Sequence, residues 1–243
     1  MAAAPAPTED ADVETASEGY ARRFAGGVGT WFLDVQARIV LDLVAAWPRA
    51  TVLDVGGGHA QLTGPLVDAG YDVTVHGTAD ICAERARRWI ESGRARFATG
   101  PLLHLPWPDR AFDVVLAFRL LPHVDGWKEL TAELCRVARR AVIFDYPTRR
   151  SVNVVSDAFF GMKKGVEGNT RPFRVFAEGE IDEALAAAGF VTRARRGEFV
   201  IPMALHRALR AAALSKAIEG AASAVGLASL LGSPVVRCAR PRE

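Results

Sequence analysis

The spacing of apolar positions sets residues 51–146 apart from the rest of the chain. Short apolar runs alternate there with longer amphipathic stretches. "TVLDV" runs straight into glycines and predicts a buried strand. "AQLTGPLVDAG" follows it, with Leu62, Leu66 and Ala69 on one helical face and Gly70 as the stop. The same order recurs. "YDVTVH" predicts a second strand, with a helix from about Asp80 to Glu91 after it. "ARFATG" predicts a third and "FDVVLAF" a fourth, and "WKELTAELCRVARR" a helix leading into a fifth strand, "AVIFDY". Strands that alternate with helices of this length demand an α/β fold, a doubly wound, mostly parallel sheet with helices on both faces.

The flanks follow other rhythms. Upstream, Trp31, Val35, Ile39, Leu43 and Trp47 fall at four-residue steps, which predicts an amphipathic cap helix stopped by Pro48. Downstream, "PTRRSVNVVSDAFFGMKKGVEGNTRPF" is polar and basic with interleaved glycines and reads as a helix plus an ordered loop. "EGEIDEALAAAGF" predicts a helix ended by Gly189, and "VTRARRGEFVIPM" a strand. One or two helices are expected over "ALHRALRAAALSKAIEGAASAVGLASLLG", inserted before a last strand, "SPVVRCARP". Neither an internal repeat nor a linker interrupts this order. The expected organisation is a single domain, residues 19–243, behind a disordered acidic tail, residues 1–18, rich in Ala, Pro and acids.

Composition narrows the partners. A chain of 243 residues, half of them hydrophobic, buries one full α/β core. The formal net charge of +2 gives no reason to expect nucleic acid. The start lacks a basic region followed by an apolar stretch, so no secretory signal is expected. The most apolar window, "AASAVGLASLLG", is too short for stable membrane insertion. Cys82, Cys135 and Cys238 lack metal-type spacing and read as reduced thiols of a cytoplasmic protein without a metal.

The candidate chemistry begins at Thr51. Glycines after a first buried strand let a ligand approach the backbone, and the next helix offers unpaired N–H groups to a polar or anionic group. A dinucleotide fingerprint needs a glycine at position 61, where the chain has Gln61, so a nicotinamide oxidoreductase is disfavoured. Asp54, Gly56 and Gly58 match the motif D-x-G-x-G-x-G, with Ala60 in place of the third glycine. Further on stands "LPWPDRAFDVVLAFRLLPHVDGWKELTAELCRVARRAVIFDYP". Together these stretches resemble the class I S-adenosylmethionine-dependent methyltransferases, in particular the small ones acting on quinones, lipids and natural products. The resemblance covers roughly the first 145 residues. It implies a Rossmann-like, seven-stranded sheet and S-adenosyl-L-methionine as cofactor. It also implies a cofactor site made of Asp54, Gly56, Gly57, Gly58, His76, Gly77, Thr78, Leu102, Trp107, Phe118 and Arg119. Trp107 either covers an adenine ring or belongs to the core. Arg119 and His123 lie at the carboxyl end of the fourth strand, where open parallel sheets bind ligands.

The chain departs from the family at two anchors. The carboxylate that binds the ribose hydroxyls at the end of the second strand is replaced by Gly77, with His76 before it. The acid that touches the adenine amino group after the third strand is replaced by Pro101. Either other groups have taken over, with His76, Thr78 and backbone N–H groups nearest, or the site has decayed. The retained Asp54, Gly56 and Gly58 favour replacement.

Methyl transfer from a sulfonium is an in-line displacement in which the protein positions the partners, excludes water and, for some acceptors, removes a proton. His123, Asp145 and Tyr146 are the candidate bases near the strand ends, with His123 and Tyr146 taken as the catalytic pair. Family members hold their acceptors with N-terminal helices and late insertions, here residues 146–176 and 204–231. Tyr20, Arg149, Asn153, Lys163, Lys164, Asn169 and Arg171 are the corresponding acceptor-side candidates. Their mix of basic, amide and aromatic neighbours suits a small-molecule acceptor with an anionic group and an apolar or lipid-like body. The apolar stretch over 204–231 closes such a pocket, forms a homodimer surface or touches a membrane shallowly. A second functional class stays open, a non-catalytic methyltransferase-like binding protein with a degenerate cofactor site.

Overall fold

The computed structural model of the chain describes residues 9–151, 173–209 and 211–242. Its centre is a seven-stranded sheet in the order β3-β2-β1-β4-β5-β7-β6. The strands are β1 (Thr51–Val55), β2 (Asp72–Gly77), β3 (Ala95–Thr99), β4 (Phe112–Ala117), β5 (Ala138–Tyr146), β6 (Phe190–Phe199) and β7 (Ser233–Pro241). The first five are parallel, and β7 runs antiparallel to both β5 and β6. Successive helices wind outward in both directions from the neighbouring pair β1 and β4. The crevice at their carboxyl ends is therefore the switch point of the fold.

Alternation along the strands builds the core. Leu53, Val55, Val115, Ala117, Val142, Phe144 and Val235 face one side, and Val52, Val114, Leu116, Ala141, Ile143 and Val236 the other. Helices α6 (Trp127–Val137) and α7 (Glu178–Ala187) cover the first face with Leu130, Leu134, Ile181 and Leu185. On the second face lie α3 (Gly26–Val44), α4 (Thr63–Asp68) and α5 (Arg87–Glu91), through Val40, Val44, Leu66 and Trp89. Strands buried on both faces read as continuous apolar runs, which is why their sequence positions were plain.

The expectation of an unstructured tail through residue 18 fails from residue 9 onward. Two short helices, α1 (Ala11–Ala16) and α2 (Glu18–Ala21), pack over the carboxyl ends of the strands, with Ala11, Asp12, Thr15 and Ala16 buried. Among the described residues, the region before the last strand holds three helices rather than one or two: α8 (Met203–Leu209), α9 (Ala212–Ala224) and α10 (Leu227–Leu231). Gly226, at φ +80°, divides the last two. The helix expected over 80–91 is a tight 3-10 run, Asp80–Ala86, that becomes α-helical only in α5. Among the described residues, no helix is long and apolar enough to cross a membrane.

Candidate functional site

Glycine is required at each position of the loop after β1, for different reasons. Gly56 has φ +71° and donates its N–H to the carbonyl of His76, pinning the loop to the end of β2 at 2.9 Å. A Cβ on Gly57 would stand 2.4 Å from a carboxylate oxygen of Asp54, and one on Gly58 would stand 2.9 Å from the methyl of Ala16. Asp54 is buried, and burial pushes its carboxyl up to about 7.

At the end of β2, beside Gly77, a carboxylate arrives from the N-terminal segment. Asp12, fully buried, accepts hydrogen bonds from the Thr78 N–H and hydroxyl, both at 2.6 Å, and from the Cys82 thiol at 3.3 Å. A Cβ on Gly77 would lie 3.3 Å from the same carboxylate and 2.5 Å from the Cys82 Cβ. Sequence reasoning missed Asp12 because it sits in an acid-rich stretch that carries no apolar period. His76 is fully buried and meets Trp107 edge-on at 5.1 Å, and burial lowers its pKa. Trp107 also meets Phe112 at 5.3 Å, while Leu102 is buried in the same apolar cluster as Ala11.

A second polar group gathers at the ends of β4 and β5. Phe118 is buried, and Arg119 follows it at φ +58°. The Arg119 N–H donates to Asp145 at 2.5 Å, its guanidinium donates to the Gln36 carbonyl at 3.2 Å, and the same group stacks 3.9 Å over the Phe24 ring. Gln36 in turn donates its amide N–H to Asp145 at 3.2 Å and to Glu198 at 2.9 Å. Burial holds both carboxyls above the usual range, and the charge of Asp145 raises Glu198 further. Tyr20 and Phe24 close over this group, each meeting His59 edge-on. Burial, reinforced by Arg119 and Arg85, lowers His59 to about 4 and keeps it neutral. Gln36, His59 and Glu198 were not expected here. Glu198 had a readable signal, an acid on the inward side of an otherwise apolar strand end.

Other expected site residues lie elsewhere. Asp145 and Tyr146 are consecutive in β5, so they point to opposite faces. Tyr146 accepts from the Arg237 guanidinium at 3.0 Å and donates to Glu178 at 3.0 Å, within the core behind the sheet, which corrects its assignment as a catalytic base. His123 lies in a short turn, Leu121–His123, with its ring 5.6 Å from Phe173. Arg149 is directed to the surface near Glu180, at 3.8 Å. Asn153, Lys163, Lys164, Asn169 and Arg171 lie outside the described residues.

Comparison with known proteins interprets this arrangement. The family described as "Methyltransferase domain" matches residues 53–144, from within β1 to within β5. Residues 53–144 thus match a methyltransferase domain, on a fold that solved methyltransferases share. Demethylmenaquinone methyltransferase from Renibacterium salmoninarum is 29% identical over 153 residues, 59% of this chain, and the match spans only 56% of that relative's length. Magnesium protoporphyrin IX methyltransferase from Synechocystis PCC 6803, solved with S-adenosylhomocysteine bound, superposes with a TM-score of 0.65 at 17% identity, covering 94% of this chain and 96% of that one. The 4+2 cyclase SpnF superposes with a TM-score of 0.59 at 21% identity, covering 86% and 80%. The methyltransferase fold is thus shared with a protein named for other chemistry.

The glycine loop and the end of β2 lie together at the switch point of the sheet. The loop of Gly56, Gly57 and Gly58 is closed against Leu120, the Asp54 carboxylate and Ala16, and the two donors of Thr78 at the end of β2 are both taken by Asp12.

Proposed function

We propose that this protein is an S-adenosylmethionine-dependent methyltransferase of a small-molecule acceptor bearing an ionisable group on an apolar or aromatic body. The observation that carries the reading is the glycine loop after β1 at the switch point, inside the segment that matches the methyltransferase domain. The backbone of Gly56, Gly57 and Gly58 would hold the amino acid end of the cofactor, Thr78 the ribose, and Leu102 and Trp107 the adenine. When bound, S-adenosylmethionine supplies a methyl group on a sulfonium. The chain's own residues place the acceptor, keep water out and take its proton.

For that last task the candidates are Asp145 and Glu198 rather than Tyr146. Two buried carboxyls bridged by one amide keep a proton between them at neutral pH, because full ionisation of both is opposed by burial and mutual repulsion. An acceptor O–H that reaches the ionised member gives up its proton to a group of matched affinity. Tyr20, Phe24 and His59 supply ring faces and edges beside the pair, which suits a planar acceptor. The relative's name, demethylmenaquinone methyltransferase, makes hydroxylated quinol rings the first acceptors to try.

The test is calorimetric binding of S-adenosylhomocysteine, followed by assay of its formation from S-adenosylmethionine with quinols and phenols. Binding together with turnover of one such acceptor supports the reading, and Glu198→Gln should then lower kcat with little change in cofactor affinity. The absence of Asp or Glu at Gly77 and Pro101 favours the second reading, a binding protein without catalysis. Binding of S-adenosylhomocysteine with no turnover of any acceptor would favour it, and absence of binding by the wild type and by Asp12→Ala alike would sink the first reading.

A further inference from the structure

We propose that residues 9–16 are an intramolecular occupant of the cofactor crevice and must withdraw before S-adenosylmethionine enters. The inference rests on the methyltransferase reading and concerns the regulation of that same site.

The segment touches each wall of the crevice. Glu9 accepts from the N–H groups of Asp125 and Gly126 at 2.9 and 3.2 Å, beyond the end of β4. Asp12 takes both donors of Thr78 at the end of β2. Ala16 lies against Gly58, and its carbonyl accepts from the Arg85 guanidinium at 3.2 Å. Ala11 is buried in one apolar cluster with Leu102. Gly58, Thr78 and Leu102 are residues that the resemblance assigns to the cofactor. An adenosine held by Thr78 and an Asp12 carboxylate held by the same two donors exclude each other.

The chemistry of the contact explains why it forms. Thr78 presents an N–H and a hydroxyl at a strand end where no acid follows Gly77, so two donors converge there. A carboxylate is their strongest acceptor, and charge-assisted bonds of this kind are short. The construction of the segment explains why it can leave. Helix α1 has six residues, and so short a helix has marginal stability alone. Its buried side chains are two alanines, a threonine and the aspartate, so little apolar area is lost when it withdraws. Polar contacts hold it, and a ligand with a ribose and an adenine replaces them in kind.

The test uses the full chain and S-adenosylhomocysteine. Calorimetry on wild type, Asp12→Ala and Ala16→Leu should show tenfold or tighter binding by Asp12→Ala. Several-fold tighter binding is expected for Ala16→Leu, because a larger side chain cannot sit on Gly58. Hydrogen exchange should show the amides of residues 11–16 becoming less protected when the ligand is added to wild type. Weaker binding by Asp12→Ala would overturn the proposal and make Asp12 a cofactor ligand under a closing lid. Equal affinities, or increased protection of residues 11–16, would also overturn it. If none of the three proteins binds S-adenosylhomocysteine while all unfold cooperatively, the methyltransferase reading itself falls.

Discussion

Burial alone pushes the Asp54 carboxyl from 3.8 to about 7, so the folded chain holds that proton more tightly than the unfolded chain. Stability on this account is greatest below about pH 4, falls as pH rises toward 7, and is level above it. Asp54→Asn should therefore raise stability at pH 8, by an amount on the order of a few kcal/mol at ~1.4 kcal/mol per pKa unit, and make no difference near pH 4. Urea unfolding of both proteins between pH 4 and pH 8 checks the sign. At Gly77 the obstacle is steric: the backbone there is not left-handed, yet a Cβ would stand 2.5 Å from the Cys82 Cβ, and an added carboxylate would face Asp12. Gly77→Asp should cost about 1–3 kcal/mol of stability and give no gain in S-adenosylhomocysteine affinity, read by thermal unfolding and calorimetry. The end of β2 at Gly77 was legible in the sequence, because the strand and loop around it follow a known pattern. The carboxylate beside it was not, because Asp12 reaches Thr78 from a helix too short to show a period.

Element periodicity separates residues that the sequence leaves side by side. The apolar run ending in Asp145 and Tyr146 announced β5, and both residues stood at its carboxyl end. Only the placement of the sheet between its two helical layers decides which of them faces the crevice. Tyr146 faces α7, where Arg237 also reaches Asp182 at 2.9 Å and Thr192 at 3.0 Å, and Arg195 meets Glu178 at 3.2 Å. This network ties β5, β6 and β7 to α7 and requires no ligand. Tyr146→Phe should lose about 1–2 kcal/mol in urea unfolding, since Arg237 loses one of several partners, and should leave kcat within twofold of wild type. A large fall in kcat at unchanged stability would restore Tyr146 to the site. The strands were readable because burial on both faces leaves continuous apolar runs. The Asp145 and Glu198 pair was only half readable, because its members come from β5 and β6, with β7 between them, and meet through Gln36 on α3.

At the scale of the whole molecule, the sheet order brings the ends of β1, β2 and β4 to one crevice, and the N-terminal segment lies across all three. Folding and binding are then linked through one equilibrium, because the bonds that dock α1 stabilise the ligand-free chain and oppose the ligand. A ligand at 100 times its dissociation constant adds ~2.7 kcal/mol. For a chain of this size 1 kcal/mol moves the melting temperature by about 2–4 °C, so saturation should raise it by roughly 5–11 °C. Asp12→Ala loses the docking bonds and should melt below wild type without ligand. With α1 displaced in both proteins, the two should melt within about 1 °C of each other at saturating S-adenosylhomocysteine, so the variant shows the larger shift. A gap that persists unchanged at saturation would mean that Asp12 keeps its bonds to Thr78 when the ligand is bound, and that the crevice accommodates both.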